Sequence, residues 1–404
     1  MKNVKISPNR LPVGSKPRGK PKGSNGATRK IPDKIDRKIN VNFSEVEIEK
    51  LKAKYKDKIT IKEIKRYVWE LPIIKLLVTL FVIQRAYVGK KLVAEAVHPE
   101  LPKAGIFGNN FRAWIISLKN GFAGSYEKIS EHIEDLSEES FSEQAINDCV
   151  HRTGEELEPE YNKLGKELRE SKSTGGDESS WPINGMKYLI WLFCTFNIVF
   201  ITIEKSRSRK VIAKIFGSFY NGVFTSDCFS VYQGFAKYFQ KCWAHLLRTT
   251  HHLTKENPKK DIAYLHKWLT ILFNEMGEFL KKDPPPDERE KKYKFYNRKL
   301  RKIMNHNWKS KQAKGIIKNW FRKFEGHWLT AILISGVKLT NNDTERHLRG
   351  SIPTRKLLGG HRTEEGAKYF AITESLRRTW RLRKLSPFHE MANKLREISG
   401  NQAL

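Results

Sequence analysis

The chain has 404 residues, with 76 Lys and Arg against 44 Asp and Glu, a formal net charge of +32 and a pI near 9.9. That length allows two or three domains with a sizeable core, and the charge excess asks for a polyanionic partner, nucleic acid before an acidic membrane surface. Cys149, Cys194, Cys228 and Cys242 lack paired spacing, which argues against a disulfide framework or a zinc knuckle and fits a reducing cytoplasm.

Residues 1–40 read as a disordered basic tail, because the first thirty hold nine Lys or Arg and no acid, too polar to bury a core. No apolar stretch follows the N-terminal charges, so no secretory signal is expected. Residues 41–105 form an N-terminal module. Ser44 and Glu47 have capping-box spacing, and Ile48, Leu51 and Tyr55 recur on one helical face. Ile59 to Val88 reads mainly as strand, and Pro102, Gly105 and Gly108 mark a break. The apolar run Ile73–Ile83 is too short for a bilayer, which takes about 20 residues. Residues 106–168 read as helical in pieces: Phe111–Ile116, Ser125–Ile133, Glu143–Thr153 and Glu158–Leu168, with a turn at Leu136–Ser142. The middle pair has the outline of a helix-turn-helix. Its second helix, SEQAINDCVHR, is not notably basic, so an ordinary helical hairpin is the favoured reading.

The stretch from Gly175 to Tyr232 carries the chemistry. Asp177 and Glu178 stand side by side in GGDESSWPING. The run Tyr188–Glu204 reads as two buried strands joined near Phe196 and Asn197 rather than a membrane span. RKVIAKIFG reads as a helix, and Val223-Phe224-Thr225 as a short strand ending on Asp227. Next comes KCWAHLLRTTHHL. Its Cys242, His245, His251 and His252 invite a metal reading, but Cys-x-x-His is half a site and no second pair follows at zinc-finger spacing. Packing by Cys242 and Trp243, with His245 and Arg248 near the acids, is the expectation. Ile262, Leu265, Leu269, Leu272 and Met276 keep helical spacing and read as core. DPPPDE separates them from a basic helix, REKKYKFYNRKLRKIMNHNWKSK, suited either to tracking a nucleic-acid backbone or to plain solvation. Near the end, NNDTERHLRG places Asn341 or Asn342 as the cap of a helix bearing Asp343, Glu345, Arg346 and Arg349.

Convergent carboxylates suit hard divalent ions, and two such ions can activate an attacking oxygen and stabilise a leaving one at a phosphodiester. Asp227, with Asp177 or Glu178 and Glu345 or Asp343, are the candidates.

The ordered segments DESSWPING, VFTSDCFSVYQG, KCWAHLLR, NNDTERHLR and KLLGGHRTEEGA resemble the transposases of the insertion sequence 66 family, where they run roughly DETGW, SDGYSAY, CWAHLRR, NNxAERxLR and GGxRSxEGA. The resemblance spans about residues 106 to 390. It implies an α/β ribonuclease-H-like catalytic domain (169–257 and 331–395) with a helical insertion (258–330), behind a mainly helical N-terminal DNA-binding region. It also implies metal-dependent 3′-end cleavage and strand transfer by Asp177, Asp227 and Glu345. Arg248, Arg346, Arg349, Lys356 and Arg362 are the candidate DNA contacts. The implied cofactor is Mg²⁺, with Mn²⁺ as substitute. No zinc is expected, since Arg85 and Val88 stand where many members carry the thiolates of a CxxCG signature. The implied partners are double-stranded element ends and target DNA, met by a homo-oligomer on the nucleoid of a prokaryotic cytoplasm, without a membrane. A catalytically degenerate DNA-binding relic is the alternative, and another nuclease of the same fold ranks last.

Overall fold

The structure is a computed structural model that describes residues 34–55, 60–69, 75–256 and 260–400. Most of the expected tail lies outside them. The chain divides into two units, Met1–Ile73 and Ile74–Leu404. In the first, α1 (Glu45–Tyr55) begins at a reciprocal capping box: the Ser44 N–H donates to Glu47 Oε2 at 2.8 Å, and the Glu47 N–H donates to Ser44 Oγ at 3.4 Å.

The second unit opens with a hairpin of β1 (Arg85–Val88) and β2 (Lys91–Glu95), joined by an Arg85–Glu95 ion pair. Of the strand expected over Ile59–Val88, only the last four residues are strand among the described residues, and Ile59 and residues 70–74 lie outside them. Residues 60–69 and 75–84 carry no regular structure. Leu77, Val78, Leu80 and Val82 are each more than 85% exposed, so β-branched composition there finds no sheet to join. After the break at Gly108, α2 (Asn109–Ile116), α3 (Tyr126–Ser137), α4 (Glu143–Glu156) and α5 (Glu158–Glu170) follow the expected segmentation. Ser125 and Ser142 cap α3 and α4 through their hydroxyls. Helix α4 buries Ile146, Cys149, Val150 and Thr153 in the main core and leaves Glu143, Gln144 and Glu155 to solvent, so its outward face is acidic.

Five strands form one mixed sheet, β3 (Ser173–Ile183), β4 (Met186–Cys194), β5 (Val199–Glu204), β6 (Tyr220–Ser226) and β7 (Ala236–Lys241), in the order β5-β4-β3-β6-β7. The first three strands are antiparallel; β6 and β7 run parallel to β3. Between β5 and β6 lies α6 (Arg209–Phe216). Strand period divides β4 between two faces. Leu189, Trp191 and Phe193 join the core under α2–α6, while Tyr188, Ile190, Leu192 and Cys194 join a smaller core beyond.

Past β7, α7 (Trp243–Glu256), α8 (Lys260–Lys281), α9 (Pro286–Asn305), α10 (Lys311–Ile316) and α11 (Thr330–Leu333) enclose a second large core. The expected stripe Ile262, Leu265, Leu269, Leu272 and Met276 is buried throughout. The chain returns to the sheet through α12 (Asn342–Arg349) and α13 (Ile352–Leu358), then α14 (Glu364–Leu382) and α15 (Pro387–Gly400). Helix α14 covers the open edge of β5: the N–H groups of Val199 and Ile201 donate to Thr379 Oγ1 and Ser375 Oγ at 3.0 and 2.9 Å.

Candidate active site

Asp177 lies within the central strand rather than beside a strand. The sequence ESKSTGG looks too small and polar for a sheet centre, yet two glycines are what this position needs. A Cβ on Gly175 would sit 2.1 Å from Thr344 Oγ1, and one on Gly176 would sit 2.3 Å from the Phe224 ring. The strand thus admits α12 against one face and the aromatic core against the other. Adjacent strand residues point to opposite sides, which separates the two neighbouring acids. Glu178 turns to Arg207 (Nη2 at 2.5 Å) and the Tyr232 hydroxyl, and its side chain is 4% exposed. Burial pushes the Asp177 carboxyl up to about 7, with the charges of Glu178, Asp227 and Glu345 adding to the effect.

Asp227 follows the last residue of β6. Its Oδ1 accepts the Phe229 N–H at 2.9 Å, fixing the turn. Its carbonyl accepts from Lys241 Nζ at 2.7 Å, and the same ammonium reaches Ser226 Oγ at 3.2 Å. Lys241 is fully buried, faces the Phe324 ring, and is lowered by burial to about 8. Nothing in the sequence singled it out; a lysine ending a strand is ordinarily solvated.

Glu345 comes from the first turn of α12. Asn341 stands at the cap position, but its side chain makes no cap bond. Its Nδ2 donates to the Gly176 carbonyl at 2.9 Å, and its N–H donates to Cys242 Sγ at 3.1 Å. One residue therefore ties the strand of Asp177, the start of α7 and the helix of Glu345. The far end of α12 is held by Arg378, which donates to the His347 carbonyl and, at 3.0 Å, to Ser351 Oγ, while the buried Glu374 grips Arg378 and Arg377. The Glu345 carboxylate accepts from Arg248 Nη2 at 2.6 Å and Arg349 Nη2 at 3.2 Å, with His245 Nδ1 3.5 Å away. Asp343 instead pairs with Lys338 and Arg346.

Asp177 and Asp227 each lie two residues beyond the paired Gly175 and Thr225 of β3 and β6, and the charges of Asp227 and Glu345 both reach Asp177. Among the described residues, however, the trio of ligating side chains with all donor atoms within 4.8 Å of one another is Cys242, His245 and Glu345. Of the basic residues expected at DNA, Arg248 and Arg349 bind Glu345, Arg346 binds Asp343, and Lys356 and Arg362 are exposed. Arg355, which the sequence reading does not name, donates to Ser179 Oγ and the Ser180 carbonyl at 3.0 and 2.7 Å, two and three residues beyond Asp177. The GGHR motif also closes the fold, because a Cβ on Gly360 would meet the Pro182 carbonyl oxygen at 2.1 Å.

The chain is a mixed α/β protein with one five-stranded mixed sheet set among many helices. Residues 104–369 match the family described as Transposase IS66 family, and the chain belongs to that family. Membership carries a transposase function and DNA as partner. A comparison with curated proteins finds no match. No helix among the described residues is long and apolar enough to cross a membrane.

Proposed function

We propose that the protein binds the double-stranded ends of a mobile element, cuts their 3′ ends with water and joins them to target DNA, with Asp177, Asp227 and Glu345 holding divalent ions. The observation that carries this reading is the convergence of three sequence-distant carboxylates, the charges of Asp227 and Glu345 both reaching Asp177, with Asn341 bridging their supports. The order β5-β4-β3-β6-β7, three strands antiparallel and two parallel, supports a ribonuclease-H-like core. In it, 169–257 and 331–395 form the catalytic halves and 258–330 the insertion.

The donor set fits Mg²⁺, or Mn²⁺ in its place: it is all carboxylate oxygen, and Asp177 is raised by burial and then by its acidic neighbours, a cost that a cation offsets. Such ions, when bound, favour charge on the attacking and leaving oxygens of a phosphodiester. The chain's own groups do the positioning. Lys241 fixes the backbone of Asp227, Asn341 sets α12 against β3, and Glu374 with Arg378 anchors the other end of α12. Arg248 and Arg349 neutralise Glu345, and both would be free to grip a phosphate if that carboxylate held a cation instead. Arg346, Lys356 and Arg362 extend the contact along the backbone, and a homo-oligomer brings two ends together on the nucleoid.

The Asp227→Asn protein should bind element-end DNA within about threefold of wild type and lose cleavage by on the order of 10³ or more. Cleavage by that variant at the wild-type rate would end the assignment. Mn²⁺ titration separates the degenerate alternative, because a relic would bind no ion at these acids.

A further inference from the structure

We propose that Cys242, His245 and Glu345 form a second metal site, for a borderline-soft divalent ion of the zinc class, and that its occupation withdraws Glu345 from the acid cluster. Cys-x-x-His puts Cys242 and His245 on one face at the start of α7, and α12 supplies the third donor that the sequence lacked. Their ligating atoms all lie within 4.8 Å of one another. Zinc bond lengths of about 2.0 Å to nitrogen and 2.3 Å to sulfur place tetrahedral donors about 3.5 Å apart. Rotamer adjustments of about 1 Å close that difference.

The chemistry of the trio points the same way. His245 Nδ1 is buried and has no hydrogen-bond partner, while it faces the Glu345 carboxylate at 3.5 Å. A buried ring nitrogen with nothing to bond is costly unless a ligand takes it. Cys242 Sγ accepts the Asn341 N–H at 3.1 Å, a bond that favours the thiolate, while burial holds the metal-free thiol above its ordinary value. One sulfur, one nitrogen and one carboxylate oxygen select zinc-like ions over Mg²⁺, which favours oxygen. Arg248 occupies Glu345 Oε1, but its side chain is 49% exposed and has solvent to turn into.

The regulatory half rests on the assignment of Glu345 to cleavage: zinc and productive Mg²⁺ binding compete for one carboxylate. The binding half does not, so it is tested where the other two acids are gone. In full-length Asp177→Asn/Asp227→Asn protein, Co²⁺ should bind at one equivalent with a thiolate charge-transfer band and tetrahedral visible bands, and Zn²⁺ should displace it. Cys242→Ser in that background should abolish the charge-transfer band. His245→Gln, at a partly exposed position, should weaken binding by at least about 100-fold, since even outer-shell partners are worth 10–100-fold. No charge-transfer band, or the same band in Cys242→Ser, overturns the site. For the coupling, the ratio of Mg²⁺-dependent cleavage with and without Zn²⁺ is measured within each protein. It should fall at least about tenfold in wild type and stay near one in Cys242→Ser. Equal inhibition in both overturns the coupling. Absence of cleavage by wild type under every condition would instead overturn the transposase mechanism and leave the cobalt result standing by itself.

Discussion

Asp177 is a carboxyl held where its charge is unwelcome, and that leaves a thermodynamic trace. Its ordinary value is 3.8 and burial beside other acids takes it to about 7. Below pH 4 both folded and unfolded chains are protonated there and the group contributes nothing. Between 4 and 7 the unfolded chain gives up the proton while the folded one keeps it, so stability falls as pH rises. Above 7 the metal-free fold carries the full penalty, at most on the order of 4 kcal/mol. Asp177→Asn should therefore stabilise the metal-free protein at pH 8, leave it little changed at pH 4, and lose the stabilisation that Mn²⁺ gives wild type. Urea unfolding at the two pH values checks this; a destabilised Asn variant at pH 8 would contradict it. Glu178 is the control. Removing its charge leaves Arg207 without its partner and should cost about 1–3 kcal/mol, yet Glu178→Gln should keep Mn²⁺ binding, read by titration calorimetry. The residues by themselves left Glu178 a rival, and only the family resemblance chose Asp177. The strand pleat, with the distant Arg207 and Tyr232, gives the two side chains different surroundings.

At the scale of elements, legibility followed the range of the forces involved. Helices α3 and α4 could be read because their serine caps and apolar spacing are local. The strands β4 and β5 could be read because burial on both faces writes a continuous apolar run. The strand β3 could not, since its residues are chosen by what presses on them from elsewhere. Of the two candidate caps, Asn341 and Asn342, Asn341 takes the cap position, but its side chain serves the sheet instead. The stretch before Arg85 failed in the opposite sense: strand composition is only a preference, and without a partner strand it leaves apolar side chains in solvent. The packing of α12 on β3 yields a direct prediction. Gly175→Ala should cost about 1–3 kcal/mol through overpacking and weaken Mn²⁺ binding, because Thr344 and Asn341 must move and carry Glu345 with them. Thr344→Ala in the same chain should restore part of both losses, and a double-mutant cycle measures the coupling. Full additivity would mean that the contact does not position the helix.

For the molecule as a whole, the net charge of +32 is distributed in pieces with different work to do. Arg248 and Arg349 are engaged at Glu345, so their loss should reach cleavage before affinity. Helix α9 exposes Lys291, Lys292, Lys294, Arg298, Arg301 and Lys302, and residues 1–30 add nine basic side chains without an acid. Phosphate contacts release condensed counterions, so each one lost should make the slope of log K against log salt shallower by about 0.9. Replacing the nine N-terminal Lys and Arg by Gln should therefore weaken binding most at low salt and flatten that slope by about 0.9 for each side chain that meets a phosphate. Element-end and unrelated duplexes should lose affinity by the same factor, because contacts to phosphate carry no base information. Mn²⁺ binding at the acids should not change. Fluorescence anisotropy over a salt series on both duplexes provides the measurement. An unaltered slope would assign the N-terminal charge to solubility, and a loss confined to element ends would make that segment a reader of sequence. The first result would leave α9 and the exposed Lys356 and Arg362 as the carriers of the nonspecific term, which substitution at those positions then tests on the same salt series.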